Sequence, residues 1–310
     1  MLIDIHGHQY PDAFLDLFKA LVEREDMPPP EYSLPRWDLD AHLALNDEKG
    51  IDLQILSLTL QSYPADPAAA RDLIQAGNDG LAEVCRKHPD RFIPFASLPL
   101  VDVEASLREV QRAVTDLGVK GVILGTNVRG EPLDGEGFLP LYEEINRLKL
   151  PILIHPLDPR GPAQAYTHRL ELWIGWPVDT AYAAARLILN GVLDRFPDIR
   201  LILSHLGGAT HYLLERICQA GPKAQIERPV IEYYREMHYD TGGPVSSSAV
   251  RCAIDLFGAE QIVHGTDYPF GPSGGREFID KASACVRDLS LPRPEEEAIF
   301  SGNAKKILGL

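Results

Sequence analysis

The sequence is short of the features that mark secreted, membrane-spanning or nucleic-acid-binding chains. Only four cysteines, Cys85, Cys218, Cys252 and Cys285, stand among 310 residues, and no two share a CxxC-like spacing. They read as free, mostly buried thiols, which suit a reducing compartment. No stretch approaches ~18 consecutive apolar residues, so no transmembrane helix is expected. No basic segment precedes the first apolar residues, and Asp4 interrupts them, so no signal peptide is expected and the cytoplasm is the expected location. Positive charge is also scarce. Against 45 acidic residues there are 30 basic ones, for a formal net charge of −15. No basic run is longer than the pair Lys305-Lys306. Such a chain repels nucleic acid and anionic membrane surfaces, and neither is expected as a partner.

Apolar material is ample. Hydrophobic residues make up 45 % of the chain and charged residues 24 %, enough for a large core. Eight short apolar stretches, 2–6, 52–58, 92–97, 119–124, 151–155, 199–205, 237–241 and 261–266, read as strands buried on both faces. Helical patterns separate them, over 38–49, 67–88, 103–117, 138–148, 179–195, 208–220, 246–258 and 276–289. Eight β–α units in succession predict an α/β fold, a closed (β/α)8 TIM barrel rather than an open sheet. Residues 9–37 hold one helix-like piece, 11–25, and a proline cluster, and read as a short insertion after strand one that covers the barrel mouth. Residues 1–310 are expected to form one domain.

The polar residues at the strand ends carry the chemistry. In His6-Gly7-His8 the imidazoles are two positions apart, so on a strand both face one side. Two convergent imidazoles make half a site for Zn²⁺ or a similar ion. His155 ends the apolar run PILIH, His205 ends IRLILSH, and Asp267 follows QIVHGT. All lie at C-terminal strand ends, where barrels of this kind build their active sites. Asp4 falls, by the same alternation, on the face of His6 and His8 one step deeper, as a supporting partner of theirs or a buried structural hydrogen bond.

The order HxH, His, His, Asp along strands one, five, six and eight resembles the amidohydrolase superfamily. Further stretches resemble its aminocarboxymuconate-semialdehyde decarboxylase-related branch: Arg36-Trp-Asp38, His155-Pro156, Gly175-Trp-Pro-Val-Asp-Thr180, Gly191-Val-Leu-Asp-Arg-Phe-Pro197, Ser204-His-Leu-Gly-Gly-Ala209, Gly265-Thr-Asp-Tyr-Pro-Phe270 and Asn303-Ala-Lys-Lys-Ile-Leu-Gly309. The 6-methylsalicylate decarboxylases look similar too. The resemblance implies one divalent metal held by His6, His8, His155 and Asp267, with His205 beside it and unligated. Binuclear members carry a bridging lysine at the end of strand four. Here Lys120 lies at the start of that strand instead, which points to one ion, zinc first and manganese second. The resemblance also implies a homodimer.

The implied reaction is non-oxidative decarboxylation of a small aromatic or unsaturated acid, hydroxybenzoate-like or muconate-semialdehyde-like. His205 and Asp267 would be the catalytic pair, Asp267 giving a proton to carbon and His205 orienting it. The alternative is a metal-dependent hydrolase or hydratase, lactonase-like, acting on a ring-cleavage product. Arg160, His168, Trp176 and Phe270 are candidate substrate contacts, with Arg169, Trp37 and Trp173 as further candidates. No convincing equivalent exists of the arginines that clamp a second carboxylate in the muconate-semialdehyde enzymes. Only Arg24, Arg36 and a distant Arg228 come near, which favours a monocarboxylate.

Overall fold

The computed structural model describes residues 1–26, 34–60, 62–157, 167–221, 224 and 226–310. Eight parallel strands follow one another round a ring: β1 (Ile3–His8), β2 (Leu53–Ser57), β3 (Phe92–Pro94 and Ala96–Ser97, interrupted at Phe95), β4 (Val122–Gly125), β5 (Pro151–His155), β6 (Arg200–Leu203), β7 (His238–Asp240) and β8 (Ile262–Val263). Each pairs in parallel with the next. The ring closes because Ile5 N donates to His264 O (2.9 Å), Asp267 N to His6 O (2.8 Å) and His8 N to Tyr268 O (2.7 Å). The fold is the expected (β/α)8 barrel.

Both faces of the ring are apolar, as the uninterrupted hydrophobic runs require. Inside, Ile3, Ile5, Ile55, Phe95, Leu153 and Ile202 belong to one buried cluster, completed by Ile307 and Leu308 of the C-terminal helix Asn303–Leu308. That helix plugs the end of the lumen where the strands begin. Outside, Leu56, Val122, Ile152 and Leu203 pack in a second, larger cluster with helix residues such as Leu73, Ile145 and Leu187. Full burial of each such side chain contributes about 1.5–3 kcal/mol.

The helices begin where their caps allow. Asp38 accepts from Ala41 N at the start of Leu39–Lys49, which ends at Gly50 in the left-handed region. Asp66 caps Pro67–Lys87 with proline at its first turn, and Asp102 caps Val103–Arg112. One helix differs from expectation. The 179–195 pattern forms Trp176–Leu189, then breaks at Asn190 and left-handed Gly191 before a short Val192–Arg195 turn. The helix-like piece after β1 forms Asp12–Glu23 and packs on Pro67–Lys87, where Gly80 lies against Pro11 and Phe14 against Gly77.

The expected position of Asp4 is corrected by a bulge. Ile3 and Asp4 pair with Leu53 and Gln54, yet Gly7 and His8 pair with Leu56 and Ser57, so β1 spends one residue more than β2 over this span. Strict alternation therefore fails between Asp4 and Gly7. Ile3 and Ile5 face the lumen below and His6 and His8 face it above, while Asp4 points outward to Gln54. A side chain on Gly7 would meet Ile55 O and Gln54 Nε2 at 2.9 Å, which glycine avoids.

Candidate metal centre

Five side chains meet at the C-terminal ends of the strands. His6 and His8 come from β1, His155 ends β5, His205 follows β6 and Asp267 follows β8. His205 and Asp267 sit on backbone with positive φ, +54° and +64°. Such strain persists only where the surroundings fix it, and it clusters at functional sites. Beyond His205 the chain must turn at once. At Gly208 an added Cβ would lie 2.0 Å from Pro177 O, while Ala209 N donates to that same oxygen at 3.0 Å. The HLGGA and GWPVDT stretches are thus two sides of one contact.

The partners of each imidazole fix its tautomer. His6 Nδ1 donates to Asp240 Oδ2 at 2.8 Å. Ser57 Oγ gives its proton to Gly7 O, so it accepts from His8 Nδ1 at 3.0 Å. His155 Nδ1 donates to Pro156 O at 3.0 Å, with Thr59 Oγ1 at the same distance. All three Nε2 atoms are turned away from these partners, and they converge. His6 Nε2 and His8 Nε2 are 2.8 Å apart. Asp267 Oδ1 lies 3.4 Å from His6 Nε2, 3.3 Å from His8 Nε2 and 3.8 Å from His155 Nε2. Among the described residues, His155 Nε2 and Asp267 Oδ1 are buried without any hydrogen-bond partner. Three lone pairs and a carboxylate oxygen turned on one point repel one another unless a cation sits among them. The donor set therefore fits a divalent ion.

Protonation supports the same reading. Burial alone would lower His6, but the carboxylates of Asp240 and Asp267 outweigh it and raise the group to about 9. A proton on His6 does in the metal-free protein what a cation would do. Burial depresses His8 to about 3 and His155 to about 4, which keeps both lone pairs free at neutral pH. Burial pushes Asp267 up, yet the imidazoles of His155, His205 and His8 hold it well below the usual carboxylate range.

His205 stands on the other side of the carboxylate, its Nε2 3.4 Å from Asp267 Oδ2. Its side chain is 15 % exposed, whereas those of His6 and His8 are fully buried. His6, His155, His205 and Asp267 also form a four-group set whose ligand atoms lie within 4.8 Å of one another. His205 is thus close enough to contribute, but only His8 shares Oδ1 with the other two imidazoles.

Above the site opens a cavity of about 580 Å³, whose lining includes His155, His205, Asp267, Trp173, Trp176 and Phe270. Of the candidate substrate contacts, Trp176 and Phe270 line this cavity. Trp173 lines the cavity as well, but Trp37 instead donates its Nε1–H to His42 Nδ1 at 3.1 Å. His168 is exposed and does not line the cavity, while Arg169 beside it does. Both residues have positive φ in one tight turn, so neighbouring side chains diverge there. Arg160 lies outside the described residues. Arg24, Arg36 and Arg228 pair with Asp26, Asp12 and Glu236, so none is free to clamp a carboxylate.

Sequence reading missed Asp240. It ends β7, accepts from His6 Nδ1 through Oδ2, and accepts the backbone N–H groups of His205 (2.9 Å) and Gly242 (2.8 Å) through Oδ1. The signal was present, since Asp240 is another ionisable group at a C-terminal strand end. Ser57 at the end of β2 and Thr59 just beyond it were missed for lack of charge. His264 on β8 is buried against Ser283 Oγ and Phe300, away from the cavity. All four cysteines are free. Among the described residues no helix is long and apolar enough to cross a membrane.

Comparison with known proteins agrees with this geometry. The family model described as amidohydrolase matches residues 3–310. A gamma-resorcylate decarboxylase of Rhizobium sp. (strain MTP-10005) is 32 % identical over 295 residues, covering 87 % of each chain. A 2-amino-3-carboxymuconate-6-semialdehyde decarboxylase of Dictyostelium discoideum is 31 % identical, covering 88 % of this chain and 77 % of its own. Among solved structures, a dihydroxybenzoic acid decarboxylase from Polaromonas sp. JS666, with bound manganese and the inhibitor 2-nitroresorcinol, superposes with a TM-score of 0.85 at 28 % identity. It covers 100 % of this chain and 97 % of its own.

Proposed function

The chain belongs to the amidohydrolase family, and from that footing we propose that it is a metal-dependent, non-oxidative decarboxylase of a hydroxybenzoate-like acid. The observation that carries this reading is the division of Asp267: Oδ1 faces three bare imidazole nitrogens, and Oδ2 faces His205 at the cavity floor. The named decarboxylases among its relatives support the reaction class.

His6, His8 and His155, through Nε2, and Asp267, through Oδ1, would hold one divalent ion. When bound, that ion supplies the positive charge that grips a carboxylate and an adjoining oxygen. Zinc and manganese both fit three nitrogens and one oxygen, and the manganese of the Polaromonas structure makes manganese the first to test. Trp176 and Phe270 confine the ring so that the carbon bearing the carboxylate meets Asp267. The resting Asp267 is ionised, so the proton it delivers arrives through His205 at Oδ2. Asp267 passes that proton to the ring carbon. The bond from ring to carboxylate then breaks, its electron pair returns to the ring, and CO2 leaves.

Residues 1–310 are read as one domain; of the segment 9–37, residues 27–33 lie outside the described residues, and Pro35 in the cavity lining supports a place for its end at the mouth. The four free thiols support a cytoplasmic location. A homodimer is proposed, supported by exposed Trp173, Ile174, Tyr182 and Tyr212. Light scattering at twice the chain mass is the expected result.

The functional test is elemental analysis followed by CO2 release from 2,6-dihydroxybenzoate and related monocarboxylates. About one equivalent of metal with CO2 evolution is expected. Metal without CO2 from any acid, together with water addition to a ring-cleavage product, would replace the decarboxylase by the hydrolytic alternative.

A further inference from the structure

The His6-Gly7-His8 pattern faces the lumen only because β1 carries one extra residue between Asp4 and Gly7. In an unbroken strand His6 and His8 would share the face of Asp4, which points outward. A bulge also leaves backbone N–H groups without ladder partners, and each must be satisfied elsewhere. Here the Asp4 side chain satisfies the one at His6 and reaches the last segment of the ring as well. Asp4 Oδ1 accepts from His6 N and from Thr266 N, both at 3.0 Å, and Oδ2 accepts from Thr266 Oγ1 at 2.6 Å. The two backbone donors belong to the two segments that bring the imidazole pair and Asp267 together. Thr266 Oγ1 in turn accepts from Tyr268 N at 3.1 Å, so the hydrogen bonds bracket Asp267 on either side.

A fully buried carboxylate needs further support. Gln54 Nε2 donates to Asp4 Oδ2 at 2.6 Å. Gln54 Oε1 accepts from His42 Nε2 at 2.6 Å and from Asn46 Nδ2 at 3.2 Å, and His42 Nδ1 accepts the Trp37 indole N–H at 3.1 Å. Every donor in this row points toward Asp4, so the bonds polarise one another in one direction. His42 is a fully buried member of the row.

We propose that Asp4 is the positioning residue of the metal centre: its carboxylate makes the β1 bulge that turns His6 and His8 into the lumen and pins the strained Asp267 loop against them. This rests on the metal-site part of the functional reading and not on the reaction. Asparagine at position 4 would present one acceptor atom where two now receive four donors. The remaining donors would be left buried and unpaired.

The test measures Mn²⁺ alone binding to metal-stripped protein, by loss of the free-ion paramagnetic resonance signal, beside the melting temperature of the metal-free form. Asp4→Asn is expected to weaken Mn²⁺ binding about 10- to 100-fold. Thr266→Val, which removes the hydroxyl at nearly constant shape, is expected to weaken it about 10-fold, and Thr266→Ser to restore most of the loss. A merely structural role would lower the metal-free melting temperature and leave the affinity unchanged, and that result overturns the proposal. If Asp4→Asn does not fold, unchanged affinity in Thr266→Val overturns it equally. Wild-type protein that takes up no Mn²⁺ would overturn the metal-site reading and this inference with it. Tight binding by wild type and both variants would overturn this inference alone.

Discussion

The two ends of the barrel lumen obey opposite rules although the same strands build both. At the closed end Ile3, Leu53, Ile202 and the apolar residues of the C-terminal helix pack on one another, and buried Asn303 ties that helix to Ala259 O and Ile262 O. At the open end, buried His155 Nε2 and Asp267 Oδ1 have no hydrogen-bond partner, and His205 and Asp267 are held at positive φ. One end stores stability and the other spends it on a site that only a cation completes. Strand β5 holds both rules within three residues, since Leu153 belongs to the packed cluster and His155 to the metal centre.

That contrast can be broken by substitution. The largest effect is expected for His155→Ala, which should reduce metal content to well below one equivalent and turnover to background, with the metal-free fold intact by circular dichroism. Near-full occupancy would remove His155 from the ligand set. His205→Ala should keep the metal and lose about 10²- to 10⁴-fold in kcat, the usual worth of a positioned proton-transfer group. Loss of the metal as well would make His205 a ligand in place of His8. At the closed end the pattern should reverse: Leu153→Ala is expected to cost about 2–5 kcal/mol in urea unfolding, while the folded fraction keeps its metal and its kcat. A Leu153 variant as inactive as His155→Ala would erase the distinction between the ends.

The smallest effect concerns acid. His238 opens β7 near Arg200 and Lys306, and burial first, then those cations, lower it to about 4. The unfolded chain binds that proton near 6.5, so it holds more protons than the fold between those values. Stability is therefore complete above about 6.5 and is lost as pH falls toward 4, by roughly 1 kcal/mol per pH unit. His238→Gln should flatten that part of the melting-temperature profile, and an unchanged slope would assign the acid sensitivity elsewhere.

Most of the fold was legible because strands buried on both faces leave unbroken apolar runs, and because aspartate caps and glycine stops bracket the helices at Asp38, Gly50, Asp66 and Asp102. The candidate site was legible for a related reason, since His6, His155, His205 and Asp267 are ionisable groups at the ends of such runs. What escaped is what alternation cannot encode. A one-residue bulge leaves no trace in the hydrophobic pattern, so Asp4 was placed on the wrong face. Asp240 escaped for a simpler reason: its run, MHYDT, is short and mixed, and its carboxylate did not stand out against it.

Ring closure sets a schedule for the molecule's own making. Asp4 and Thr266 are 262 positions apart along the chain, yet their hydrogen bonds join the first strand to the last. A chain emerging from the ribosome shows β1 long before β8 exists to cover its free edge. Until then the paired histidines are held by β2 alone, without the carboxylate that completes their set. Contacts of such long range form late and slowly. The candidate metal centre is therefore among the last things to assemble, and a chain cut short before Thr266 would carry all four of its imidazoles without the carboxylate of Asp267.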